Sequence, residues 1–149
     1  IKSLSKEEDE VIRHGMDISL ITIDTTTYQL HFAGAHHSIY IIRAGQLTEV
    51  KADKKGIGSI GKKENNRFTE QTFQLKTGDL IYLHTDGFPD QIGGPQRKKF
   101  YYQPFKELLI SISELDMETQ KEKLDDSHIQ WLGEKMEQTD DILVMGIRR

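Results

Sequence analysis

Apolar positions alternate and cluster between residues 16 and 24 (Ile18, Leu20, Ile21, Ile23), and alternation resumes at Tyr28, Leu30 and Phe32 after the turn-forming run Asp24-Thr25-Thr26-Thr27. Period-two alternation broken by turn residues predicts a β-hairpin, because successive strand side chains point to opposite faces. Residues 38–43 form a further β-rich run, Ala44-Gly45-Gln46 a tight turn and residues 47–50 a returning strand, so the first fifty residues read as an antiparallel meander. Residues 51–67 are polar and carry Gly56, Gly58 and Gly61, which suits a loop lying over a site better than the interior of an element. Alternation returns over residues 69–75, Lys76-Thr77-Gly78-Asp79 supplies a turn, and residues 80–84 read as a buried strand.

Beyond Ile92-Gly93-Gly94-Pro95 the period changes. Phe105, Leu108, Leu109 and Ile112 recur at three and four residues, which predicts an amphipathic helix. Strong helix formers dominate residues 117–137, with Leu124, His128 and Trp131 or Leu132 on one side, and predict a second helix antiparallel to the first. Thr139-Asp140-Asp141 ends the helical region, and the apolar run over residues 142–147 closes the chain as a buried strand. Strands, then two helices, then one strand make an α+β chain of antiparallel sheet with two flanking helices.

Length and charge narrow the class. A chain of 149 residues suits a single domain, residues 1–149, with one substantial core. The charged opening, residues 1–10, lacks a capping signal and reads as the frayed end of something longer. A net charge of −4, with basic residues scattered apart from Arg97-Lys98-Lys99, speaks against nucleic acid or anionic lipid as a partner. No apolar stretch approaches the roughly 20 residues that span a bilayer, so no membrane contact by this segment is expected. Zero cysteines exclude disulfides and thiol chemistry, fit a cytoplasmic protein, and leave oxygen and imidazole as the available metal ligands.

Those ligands gather at two places. Asp86 and Asp90 stand four apart around Gly87 at the end of the strand over residues 80–84, and Asp140-Asp141 directly precede the final apolar run. Carboxylates at the edge of a buried strand repel each other unless a cation joins them. If the two strands are sheet neighbours, their acidic ends converge on one metal site. Plainer readings stand beside this one: Thr-Asp-Gly-Phe is favoured in turns for backbone reasons alone, and Asp140-Asp141 can cap the turn into the last strand. Adjacent His36 and His37 point to opposite faces of a strand and cannot close on one ion. His84 reads as a core histidine with one hydrogen bond, and Trp131 as core packing. Arg97-Lys98-Lys99 reads as a solvated loop, with docking of a phosphorylated partner as the alternative.

Six stretches occur in an order that resembles a known family: Gly15-Met16-Asp17-Ile18-Ser19-Leu20, Phe32-Ala33-Gly34-Ala35-His36-His37, Lys76-Thr77-Gly78-Asp79, Thr85-Asp86-Gly87-Phe88, Gln91-Ile92-Gly93-Gly94-Pro95 and Asp140-Asp141-Ile142-Leu143-Val144. The chain from Gly15 onward resembles the metal-dependent serine/threonine phosphatases of the PPM, or protein phosphatase 2C, type, in particular their SpoIIE-like branch. The resemblance implies a PPM-type β-sandwich flanked by helices, and two Mn²⁺ or Mg²⁺ ions that activate water for attack on phosphoserine or phosphothreonine. It also makes Asp86 and Asp140 the catalytic, metal-holding carboxylates, puts Gly87 and Asp141 in the metal set, and leaves Asp90 auxiliary. Asp17 takes no metal role. The family's acidic first strand and its Asp-Gly-His-Gly segment have no counterpart here, which implies a domain lacking its N-terminal strands and motifs, and a fragment inactive alone. The implied setting is the output module of a bacterial signalling protein, joined to an upstream sensor or receiver domain and acting on a phosphorylated regulatory protein of the anti-sigma-factor antagonist type. Two rivals remain: a non-catalytic docking module with a phosphatase-like fold, and a structural fragment that forms a homodimer through an open sheet edge.

Overall fold

The computed structural model describes residues 15–58, 67–134 and 136–149. In chain order these form β1 (Ile18–Ile23), β2 (Gln29–Ala35), β3 (Ile39–Arg43), β4 (Gln46–Val50), β5 (Gln71–Gln74), β6 (Leu80–His84), the single-turn helix α1 (Gly87–Asp90), β7 (Ile92–Gly93), β8 (Lys98–Lys99), α2 (Tyr102–Ile112), α3 (Met117–Leu132) and β9 (Val144–Arg148). The strands pair as three antiparallel sheets, β1-β2-β5, β4-β3-β6-β9 and the small β7-β8.

Both hairpins announced by turn chemistry are present. Asp24 turns β1 into β2, its carboxylate accepting from the Thr26 and Thr27 amides at 2.7 and 2.9 Å. Ala44 and Gly45, both at positive φ, turn β3 into β4. The continuous meander expected over the first fifty residues is not formed, however. β2 pairs on its far side with β5 and β3 with β6, so the chain leaves one sheet for the other between Ala35 and Ile39. His36, at φ 60°, makes that corner, and its amide donates to the Asp53 carbonyl at 2.9 Å.

The sandwich explains the spelling of the central strands. Leu30 and Phe32 of the first sheet share a core with Ile39, Ile41 and Ile81 of the second. The alternate residues Tyr40, Ile42, Leu80 and Tyr82 point the other way, into a second core with Phe88, Phe105 and Leu109 of the helices. β3 is thus covered on both faces, and its four buried residues in a row need no polar alternation. The layers are sheet, sheet and helices, an α+β sandwich with α2 and α3 as its flanking helices and α1 as an additional turn.

Further details depart from the sequence expectation, beginning with β9, which starts at Val144 rather than residue 142 and is half-exposed rather than buried, with Met145 49% exposed. α3 stops at Leu132, short of residue 137, because Gly133 takes φ 64° and its amide closes on the Ile129 carbonyl at 3.0 Å. Arg97-Lys98-Lys99 is exposed but is not simply a loop, since Lys98 and Lys99 form β8 and pair with β7. In the segment over residues 51–67, Asp53 bridges Ala35 and Ile57 bridges Met16, so its first part runs beside the first sheet. Residues 59–66 of that segment, and the charged opening at residues 1–10, lie outside the described residues.

Candidate functional site

β6 and β9 lie side by side in antiparallel register with His84 opposite Val144, so the end of one strand and the start of the other meet. Thr85 knits them together: its amide donates to the Leu143 carbonyl at 3.0 Å, its hydroxyl donates to the Asp141 carbonyl at 2.8 Å, and the Leu143 amide donates back to that hydroxyl at 3.0 Å. Gly87 continues the contact. A Cβ built there would lie 2.4 Å from the Asp141 carbonyl oxygen, so only glycine lets α1 approach this closely. The Asp86 turn and the Asp140-Asp141 segment, distant in the chain, are therefore packed backbone against backbone.

The carboxylates differ in what already occupies them. Asp86 stands at the N-cap of α1 yet makes no side-chain capping bond. Asp140 accepts from the Asp141 amide at 2.7 Å, and both aspartates line a shallow depression of about 320 Å³ together with Gln138 and Thr139. Asp90 is engaged by Lys99 at 2.9 Å, so an auxiliary role at a metal would compete with that ion pair.

The surroundings are aromatic. His84 is buried; burial pushes its pKa below the ordinary histidine value, so the imidazole stays neutral. Its Nδ1 donates to the Thr85 carbonyl at 2.9 Å, its Nε2 is buried without a partner, and its ring stacks on Tyr40 with centroids 4.7 Å apart. The reading of a core histidine with one hydrogen bond agrees with this geometry. Burial, and then the Asp86 and Asp90 carboxylates, raise the pKa of Tyr102. Trp131 packs edge-on against Phe100 at 5.3 Å, and its indole donates to the Gln91 carbonyl at 3.0 Å. His36 and His37 sit at the corner between the sheets, where the His37 carbonyl accepts from Ser19 Oγ at 2.7 Å.

Gln91 belongs to the Gln91-Ile92-Gly93-Gly94-Pro95 stretch, but its side chain had no expected role. Its side chain is 1 % exposed, and its amide nitrogen donates to the Glu137 carbonyl at 3.0 Å and to the Ile92 carbonyl at 2.9 Å. Membership of that stretch does not separate a buried tether from a solvated turn residue, because the partners are distant in the chain.

In kind, these donors suit a hard cation: carboxylate and carbonyl oxygens with no thiol nearby. In number they fall short of a closed site. Among the described residues no group of three or more His, Cys, Asp or Glu side chains is gathered where it could hold an ion.

The family model for stage II sporulation protein E (SpoIIE) matches residues 2–149. The chain belongs to the SpoIIE family. Solved structures similar to this SpoIIE-family chain include the SiaA-PP2C domain of Pseudomonas aeruginosa, with a TM-score of 0.80 and 29% identity. The phosphatase domain of the cell fate determinant SpoIIE from Bacillus subtilis follows with 0.62 and 19%. The RsbU and RsbW domains of Rv1364c from Mycobacterium tuberculosis give 0.63 and 20%. Each match covers 89% of this chain, and 51%, 57% and 36% of the respective structures, so the chain spans about half the length of the first two and about a third of the last. No curated protein sequence matches it. Its fold is that of the PP2C/SpoIIE phosphatase domains, incompletely covered. No helix among the described residues is long and apolar enough to cross a membrane.

Proposed function

We propose that this chain is the C-terminal part of a metal-dependent protein phosphatase domain, the output module of a cytoplasmic bacterial signalling protein. The observation that supports it best is the packing of the Thr85-Asp86-Gly87 turn against Asp141 in a SpoIIE-family chain. In this reading Asp86 and Asp140 hold Mn²⁺ or Mg²⁺, Gly87 and Asp141 complete the arm, and Asp90 is auxiliary. Such a cation, when bound, acidifies water and offsets charge on the phosphoryl oxygens.

The chain's own residues position this arm. Thr85 fixes the spacing of the two backbones, and Gly87 permits their contact. His84, kept neutral by burial, adds no cation beside the carboxylates. Lys99 binds Asp90 and so leaves Asp86 as the uncommitted carboxylate of its turn. We assign the remaining ligands to a part of the parent protein outside this chain, which leaves the fragment inactive alone. The substrate class is a regulatory protein phosphorylated on serine or threonine, of the anti-sigma-factor antagonist type, with a sensor or receiver domain joined to the phosphatase.

The test is Mn²⁺-dependent hydrolysis of p-nitrophenyl phosphate and a phosphoserine peptide by the full-length parent, beside Asp86→Asn and Asp140→Asn. Both variants should lose most of the metal-dependent rate; equal rates for wild type and Asp86→Asn end the catalytic assignment. The lack of a closed ligand group among the described residues favours a second reading, a non-catalytic docking module. That reading requires a folded parent that hydrolyses neither substrate at any Mn²⁺ concentration.

A further inference from the structure

Asp140 sits in a segment held at both ends. On the β9 side Thr85 grips Asp141 and Leu143. On the α3 side the grip is Gln91, whose amide nitrogen donates to the Glu137 carbonyl at 3.0 Å and whose amide oxygen accepts from the Thr139 amide at 3.4 Å. Gln91 is itself fixed by its backbone. Its amide closes α1 onto the Phe88 carbonyl at 3.3 Å, and its carbonyl accepts from the Phe100 amide at 2.9 Å and from the Trp131 indole at 3.0 Å. One buried side chain therefore joins the helix that follows Asp86 to the stretch that precedes Asp140.

We infer that Gln91 is a positioning residue that sets where Asp140 stands relative to Asp86, and so sets the affinity of this acidic arm for a divalent cation. The inference rests on the proposed metal-dependent reading. Its physical logic is that a long primary amide, 1 % exposed, is costly to bury unless its donors and acceptor are used. Here the amide nitrogen also donates to the Ile92 carbonyl at 2.9 Å, while its bond to Glu137 and the oxygen's bond to Thr139 fall on a segment with no helix or strand of its own. Without the tether, residues 137–140 have lost the buried side-chain bonds that Gln91 supplies, and the Asp140 carboxylate samples a wider volume. Partners that orient metal ligands from behind typically change metal affinity by about 10–100-fold when removed.

The experiment uses the full-length parent protein and Gln91→Met, which keeps chain length and shape but removes donor and acceptor. Mn²⁺ binding is titrated calorimetrically, hydrolysis is measured across Mn²⁺ concentrations, and hydrogen exchange is followed at the Thr139 and Asp141 amides. The expected result is an about tenfold weaker Mn²⁺ affinity, a rate at saturating Mn²⁺ within about twofold of wild type, and faster exchange at Thr139. Unchanged Mn²⁺ affinity with faster exchange overturns the inference, because the segment is then released without consequence for the arm. A fall in saturated rate with unchanged Mn²⁺ requirement overturns it equally. Should Gln91→Met fail to fold, Gln91→Asn, whose amide is one methylene short of both partners, carries the same expected shift. A wild type that binds Mn²⁺ but hydrolyses nothing defeats the phosphatase reading alone, and the calorimetric comparison still decides the role of Gln91. A wild type that takes up no Mn²⁺ defeats both.

Discussion

Replacing Gly87 with alanine inserts one methyl group between α1 and the Asp141 backbone. The added Cβ would stand 2.4 Å from the Asp141 carbonyl oxygen, 2.9 Å from its carbonyl carbon and 3.0 Å from Ile142 Cγ1, where ordinary contact begins near 3.4 Å. The neighbour in question is backbone rather than the tip of a flexible side chain, so it must retreat by about 1 Å. Gly87 is the first residue of a single helical turn, where the interior helix-propensity gain of alanine does not apply, so overpacking sets the cost at about 1–3 kcal/mol. Function should suffer far more than stability, because a misplacement of about 1 Å at a reacting centre can lower rates by about 100-fold. The displaced carbonyl is the one that accepts from Thr85 Oγ1, so the tie between the two acidic segments loosens at the same time. Urea unfolding of the full-length protein together with Mn²⁺-dependent hydrolysis reads both quantities. A Gly87→Ala protein with wild-type stability and wild-type hydrolysis would refute the claim that close packing of these backbones sets the site.

Other substitutions separate the scaffold from the site. Gly45→Ala is the converse of Gly87→Ala: φ is 74° and a Cβ would meet nothing within 4 Å, so strain costs about 1 kcal/mol in thermal unfolding while Mn²⁺-dependent hydrolysis stays unchanged. Arg43→Met strands the Asp79 carboxylate, 1 % exposed and bonded by the guanidinium at 2.8 and 2.6 Å. The loss should be about 2–3 kcal/mol in urea unfolding at pH 7, below the about 3–5 kcal/mol of a fully buried pair, because the Arg43 side chain is 44% exposed and water screens it. Burial by itself would raise the Asp79 pKa, but the Arg43 guanidinium and the Lys76 amide outweigh it and hold the pKa below the ordinary 3.8. A depressed carboxylate pKa contributes stability in full above about pH 4 and loses it as pH falls through the folded-state value, so the gap between wild type and Arg43→Met should close in acid. Tyr82→Phe removes the hydroxyl that donates to the buried Gln120 Oε1 and should cost about 1–3 kcal/mol in thermal unfolding; a neutral result would mean that water satisfies Gln120.

Much of the architecture was legible because its causes are local. Asp24 followed by threonines, and Ala44-Gly45, specify their hairpins through bonds and dihedrals within a few residues. The period of Phe105, Leu108, Leu109 and Ile112 yielded α2, since a helix buries one stripe whatever lies against it. The two acidic clusters at the ends of apolar runs were equally visible, and the neighbouring register of β6 and β9 followed once both runs became strands of one sheet.

Alternation along β2 and the unbroken apolar run of β3 say which faces are apolar, but not whether the two strands share a sheet. That choice was made by the packing of two layers, which required His36 at a left-handed corner and sent β3 to pair with β6. The same holds for Asp90, whose partner Lys99 is brought in by the β7-β8 pairing, and for the separation of Asp86 from Asp141, which depends on a missing Cβ at Gly87. Gln91 was the least readable of all, because a tether is defined by the distant carbonyl and amide it reaches. Residue type and spacing thus announce which groups can bind a cation, whereas the distances between them arise from contacts spread across the whole fold, and no short stretch of chain contains them.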